Sequence, residues 1–250
     1  AVGATNAAGF VILGNESADE IGHYLTIDPQ NAQFLDAGGD FNGDGVDDLL
    51  IGHNQSDFDS QTNAGVGYLV FGRSGSTRSN FKLDTYKKEG FAFYNTGSGD
   101  NYVGHSVQFI GDYNGDGYND VIIGAPQADG GATDSGEAYV VFGNAGPEYQ
   151  DVDLAALNGI NGFTITSADL NSKLGGTVSS ADVNGDGLTD VIIGATEIDI
   201  NGLNDNGAVV VLYGNTSPSH PDVVLESVPA GAGYIITGEN DNDRSAFSVR

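Results

Sequence analysis

Apolar residues in this chain come in short bursts, and Gly, Asn and Asp fill the gaps between them. VGYLVFG (residues 66–72), EAYVVFG (137–143) and AVVVLYG (208–214) are three such bursts, each rich in Val, Tyr, Phe or Leu. GFAFY (90–94), GFTIT (162–166) and GYIIT (233–237) form a second set, with GFVIL (9–13) as an earlier copy. GHSVQFIGD (104–112) and GGTVSSAD (175–182) make a third, and AFSV (246–249) begins another copy of it. Each burst has the length and the β-branched and aromatic content of a strand bounded by turns. No 3.6-residue apolar period is sustained, so an all-β chain is predicted.

The bursts repeat in a fixed order around an acidic segment. DFNGDGVDDLLIG (40–52) returns as DYNGDGYNDVIIG (112–124) and as DVNGDGLTDVIIG (182–194), the starts lying 72 and 70 residues apart. A unit of about 71 residues with four short strands reads as one blade of a β-propeller, four antiparallel strands set radially about an axis. The whole chain, 1–250, is read as one propeller segment with blades at about 22–94, 103–166 and 175–237. Residues 1–13 and 246–250 are read as parts of neighbouring blades, and residues 26–37 as an insertion before the first acidic loop. This bookkeeping makes His23 and His105 equivalent positions. It also leads to the expectation that the parent protein runs on past Arg250, with an acidic loop within about ten residues.

In D-x-N-G-D-G-x-x-D, side chains at positions 1, 3, 5 and 9 and the carbonyl at position 7 are hard oxygen donors suited to Ca²⁺. The first set is Asp40, Asn42, Asp44, Val46 carbonyl and Asp48; the second is Asp112, Asn114, Asp116, Tyr118 carbonyl and Asp120. The third is Asp182, Asn184, Asp186, Leu188 carbonyl and Asp190. Asp-Gly and Asn-Gly also make ordinary hairpin turns, but three copies that keep all four side-chain donors favour three calcium sites. An EF-hand needs Glu at position 12, where this chain has Ile51, Ile123 and Ile193 within an apolar run.

These motifs resemble the FG-GAP repeat of the integrin α-chain propeller and its bacterial relatives. The fullest copy is GHSVQFIGDYNGDGYNDVIIGAP (104–126); the others end IGH (51–53) and IGAT (193–196), departing from the Gly-Ala-Pro ending. The resemblance implies an all-β propeller, commonly seven-bladed, with the strand before each acidic loop innermost and the G-F-x-I strand outermost. It implies an extracellular or cell-surface module that binds calcium and a protein or glycan ligand, completed by further blades or a neighbouring chain. It leaves open a scaffold role in a secreted enzyme such as a phospholipase, and a structural role in a surface layer or filament. By the same analogy ligands sit opposite the calcium loops. That face comprises the connections at 53–64, 126–135 and 196–206 and the crossovers at 15–20, 96–101, 168–173 and 239–244. Asp57, Asp59, Asp129, Asp134, Asp199 and Asp205 lie there as candidates for further cation sites. His53 and His220 have no partner visible in sequence, no nucleophile turn such as G-x-S-x-G occurs, and no catalytic residue is assigned.

Charge narrows the partners. The 27 Asp and 8 Glu face only 8 Lys and Arg, a formal net charge of −27. No basic cluster exists to neutralise phosphates, so nucleic acid is not expected as a partner. The absence of Cys removes disulfides and thiolate metal sites, and no apolar run reaches the ~18 residues of a membrane span. Self-repulsion of this magnitude is screened by salt. With calcium present, the melting temperature is predicted to rise from low to physiological ionic strength, and a flat response would contradict this.

Overall fold

The computed structural model describes residues 12–13, 35–57, 63–75, 81–82, 87, 90–97, 101–146 and 150–249. Three sheets follow one another along the chain, each built on the same antiparallel meander. In the first, β2 (Leu35–Gly39), β3 (Asp48–His53), β4 (Val66–Val70) and β6 (Gly90–Tyr94) run from one edge to the other. The second repeats the order with β7 (Ser106–Gly111), β8 (Asp120–Ala125), β9 (Glu137–Val141) and β11 (Gly162–Thr166). The third uses β12 (Leu174–Ala181), β13 (Asp190–Ala195), β14 (Ala208–Leu212) and β16 (Gly233–Thr237). These are three propeller blades, and the chain is all-β in its described strands.

The second strand of the middle blade, β8, is apolar without interruption because both of its faces are covered. Val121 and Ile123 of β8 pack with Leu50, Leu69, Phe91 and Phe93 of the first blade. Ile122, between them, points the other way and packs with Val191, Ile193 and Val210 of the third. Two cores therefore lie between blades. The approach is close enough to exclude side chains: a Cβ on Gly52 or Gly124 would strike the carbonyl of Gly104 or Gly175 in the next blade. Hence the glycine that ends DLLIG and DVIIG.

The described part of the first blade opens at Leu35. Its inner strand pairs Leu35 with Ile51 and Ala37 with Leu49, just as β7 pairs Val107 with Ile123 and Phe109 with Val121. Residues 35–37 are thus strand and not insertion. His23 lies outside the described residues. The strand LDAGG was illegible because its apolar contact comes from next door. Gly39 leaves room for the ring of Phe109, and Asp36 accepts the Phe109 N–H at 2.7 Å. At the other end, residues 246–249 form no ladder. Ser245 makes a single bridge to Gly207, matching the bridges Gly65–Val103 and Gly136–Leu174 at the earlier junctions. A strand needs a hydrogen-bonded neighbour, and the described residues supply none there.

The linkers before the outer strands hold an element that the repeat reading missed. Within each, two residues pair in parallel with the outer strand of the preceding blade. β10 (Val152–Asp153) joins β6, β15 (Val223–Val224) joins β11, and β5 (Phe81–Lys82) joins β1 (Ile12–Leu13). A carboxylate seals each of two clasps: Asp151 accepts from Ala92 N–H at 3.1 Å and Asp222 from Thr164 N–H at 2.9 Å. The leucine that follows, Leu154 or Leu225, is fully buried. Leu154→Ala is predicted to cost about 2–5 kcal/mol in equilibrium unfolding. Ile160→Ala nearby, 74% exposed, should stay within about 0.5 kcal/mol of the parent.

Candidate metal centres

Each acidic loop leaves the inner strand, turns over eight residues and enters the second strand. Its shape is set by side chains bonding back to the loop's own amides. In the first loop, Asp40 accepts from Asp44 N–H at 3.0 Å and Gly45 N–H at 2.8 Å. Asp112 does the same for Gly115, Asp116 and Gly117, and Asp182 for Gly185, Asp186 and Gly187. The position 3 asparagines Asn42, Asn114 and Asn184 each accept the N–H of the position 5 aspartate through Oδ1. They also donate through Nδ2 to that aspartate's carboxylate. Asp44, Asp116 and Asp186 in turn accept the N–H of Val46, Tyr118 and Leu188. Positions 1, 3 and 5 are thereby gathered on the exposed side of the loop.

Position 9 is held apart from them. Asp48 is 2% exposed, and Asp120 and Asp190 are fully buried. One oxygen of each accepts the N–H of loop position 2, from Phe41, Tyr113 and Val183 at 2.8–2.9 Å. The other accepts the N–H of the glycine that closes the third strand, Gly72, Gly143 and Gly214, again at 2.8–2.9 Å. That glycine has no space for a side chain: a Cβ on Gly72, Gly143 or Gly214 would run into the carbonyl of Asp47, Asn119 or Thr189. Burial pushes Asp48 up to about 6 and Asp120 up to about 7, with the acids at positions 5 and 1 adding to the rise and the two amides opposing it. Among the described residues no group of three or more His, Cys, Asp or Glu side chains stands close enough together to hold a metal ion.

Neighbouring loops are joined. Asn119 N–H donates to the Asp40 carbonyl at 3.2 Å and Thr189 N–H to the Asp112 carbonyl at 3.3 Å. Asn144 and Asn215 donate likewise to Phe41 and Tyr113. The ring of Tyr118 covers Gly43, and Thr216 and Leu188 cover Gly115.

Three stretches, residues 34–70, 103–141 and 174–212, match the FG-GAP repeat. Each begins at an inner strand and ends with the third strand of a blade, enclosing one acidic loop. The three blades are FG-GAP repeats. Over 123 residues, 49% of the chain, it is 32% identical to integrin alpha pat-2 of Caenorhabditis elegans. It is 28% identical over 231 residues, 92% of its length, to the phosphatidylinositol-glycan-specific phospholipase D of Bos taurus. With human integrin alpha-6 it shares 30% over 146 residues, 58% of the chain. The chain spans 10%, 26% and 12% of these relatives' own lengths. The repeats are integrin-α-like in sequence and propeller-like in fold.

Elsewhere on the FG-GAP blades, the other candidate residues have structural partners. Asp57, Asp129 and Asp199, spaced 72 and 70 residues apart like the acidic loops, occupy one recurring turn, where they accept the N–H of Asn63, Asp134 and Asp205 at 2.7–3.0 Å. Asp59 lies outside the described residues. Lys173 and Arg244 pair with Asp134 and Asp205 across the blade junctions. His220 stacks on Phe163 and bonds the Asn215 carbonyl through Nε2 at 3.0 Å. His53 is buried.

Because Asp120 satisfies two amides, Asp120→Ala is predicted to cost about 2–6 kcal/mol, or 1–3 per orphaned donor. Asp116→Ala, at an exposed position, should cost much less in the same denaturation series. Both are measured in chelator, so that the comparison reports the amide network alone.

Proposed function

We propose that the chain is a calcium-stabilised binding module of an extracellular or cell-surface protein, and that each acidic loop takes one Ca²⁺. The observation that carries this is the threefold repetition of one donor set in one loop geometry. Asp40, Asn42 and Asp44, with their counterparts Asp112, Asn114 and Asp116 and Asp182, Asn184 and Asp186, present hard oxygens on the open side of the loop. Asp48, Asp120 and Asp190 would complete each set from the buried side, and the carbonyls of Val46, Tyr118 and Leu188 would add a backbone donor. The chemistry of the set fits: all donors are oxygen, three per loop are carboxylates, and none is bridged by Lys, Arg or His among the described residues. A bound Ca²⁺ supplies the positive charge that turns mutual repulsion of three carboxylates into shared attraction.

Binding of a protein or glycan is the role this reading assigns to the blades, supported by the matches to two integrin α chains. No described helix is long and apolar enough to cross a membrane. A second reading, the scaffold of a secreted enzyme, is favoured by the phospholipase D match, which covers 92% of the chain. The parent gene separates the two: a hydrolase domain beside the blades supports the scaffold, and stalk or wall-anchoring domains support adhesion.

Calorimetric titration of chelator-treated protein should give three Ca²⁺ per chain. Extracellular calcium modules have dissociation constants of about 10⁻⁴–10⁻³ M. At tenfold excess over such a constant, three sites contribute roughly 4 kcal/mol together. EGTA should therefore lower the melting temperature, and magnesium should restore little of it. Asp116→Ala should remove one ion and also weaken the first site, since Asn119 of the altered loop donates to the Asp40 carbonyl. Identical melts in EGTA and in millimolar calcium would refute the proposal.

A further inference from the structure

A cavity of about 450 Å³ lies where the outer strand of the first blade meets the second blade. Antiparallel pairing puts it at the end of the blades opposite the acidic loops. Asn95 and Asn101 line it from the crossover between the blades, Asp129 from a connecting loop, Glu137 and Tyr139 from β9, and Asp222 from the second clasp. Its volume is that of a small-molecule site.

The repeat supplies an internal control for what this junction holds. By strand register Glu137 occupies the place of Val66 in the first blade and Ala208 in the third, opposite His53 and Ala195 where Glu137 is opposite Ala125. A position that the fold elsewhere fills with a fully buried apolar residue here carries a carboxylate. Tyr139 donates its hydroxyl to Glu137 and receives Asn95 Nδ2 at 2.6 Å, so three side chains form one bonded row. Gly130 leaves room for the carboxylate, which a Cβ there would strike. Burial, then Asp222 and Asp129, push Glu137 above the ordinary carboxylate range.

Asn101 is the second departure. It stands two residues before the bridge residue Val103, where the later junctions have Ser172 and Asp243. Ser172 bonds the Ser135 carbonyl. Asn101 is 3% exposed and its Nδ2 has no partner among the described residues. A buried amide left unpaired costs roughly 1–3 kcal/mol. Asp129 and Asp222 each spend one oxygen on a backbone N–H and keep the other.

We propose that this cavity is a subsite for one sugar ring, recognised through adjacent hydroxyl groups. A hydroxyl donates to a carboxylate and accepts from an amide in the same contact, and both kinds of partner line the cavity. An ammonium or guanidinium group would satisfy the carboxylates but only donates, and so would leave Asn101 Nδ2 unpaired. Ala155, exposed at the same wall, offers apolar surface to the C–H face of a ring. The proposal deepens the ligand-binding part of the reading above and does not involve the calcium loops.

The test uses the whole chain in millimolar calcium. D-galactose, D-glucose, D-mannose and N-acetyl-D-glucosamine are titrated to tens of millimolar, with arginine methyl ester as the cationic probe. Binding is followed by saturation-transfer NMR and by the side-chain amide signal of Asn101. At least one sugar should bind and move that signal. Asn101→Ser and Glu137→Ala, which install residues the later junctions already use, should keep the melting temperature near the parent's and weaken binding about tenfold, the loss of one strong hydrogen bond. Sugar binding that moves the Asn101 signal in the parent suffices should either variant fold poorly. The proposal is overturned if no sugar binds, if only arginine methyl ester binds, or if folded variants bind the sugar unchanged. Calcium stoichiometry on the same samples tells failure of the sugar site from failure of the calcium reading.

Discussion

The second strand of a blade is apolar on both faces, and the need to cover both governs the structure. Val121 and Ile123 turn to one neighbour and Ile122 to the other, so a blade on its own would leave a sheet face in water. Stacking answers this, as in other repeat arrays where stability resides in the interfaces. The third blade shows the contrast. Its outer strand alternates between covered and open positions, with Tyr234 and Ile236 exposed and Ile235 packed inward. Loop position 2 follows the same rule. Phe41 and Tyr113 are buried under the next blade, whereas Val183 is 41% exposed.

That dependence makes the acidic loops part of the packing. Position 2 sends a side chain into the interblade core and its amide to the buried aspartate at position 9. The same aspartate holds the glycine after the third strand. One carboxylate thus ties second strand, loop and third strand together, while positions 1, 3 and 5 stay at the surface. Under the calcium proposal, a divalent cation would offset the negative charge that the loops place on one end of the blades.

The strands with apolar runs and the three loops were legible because each carries its own signal. DVIIG and VVFG state their burial in their own composition, and D-x-N-G-D-G-x-x-D keeps its donors at fixed spacing. What was illegible depends on neighbours. β2 reads LDAGG because Phe109 fills the space that its own side chains would otherwise take. The clasp strands are two residues long and parallel, too short for any periodicity, although Leu83, Leu154 and Leu225 recur at intervals of 71. At position 9 the sequence shows the spacing of Asp48, Asp120 and Asp190 but not their burial. Glu137 and Asn101 carry no motif at all; only comparison of one junction with the next sets them apart.

The clasps have a consequence for how such a chain can change in length. Each described blade lends two residues to the outer strand before it, and the first two blades borrow two from the blade after, always in the same register. A recombination event that adds or removes one full period restores every lending pair, wherever within the period the breakpoint falls. One that adds half a period leaves an outer strand without its lender and a linker with nothing to seal. Genes for proteins of this kind are therefore free to grow or shrink by whole units and by little else, and the 71-residue spacing is the mark of that arithmetic.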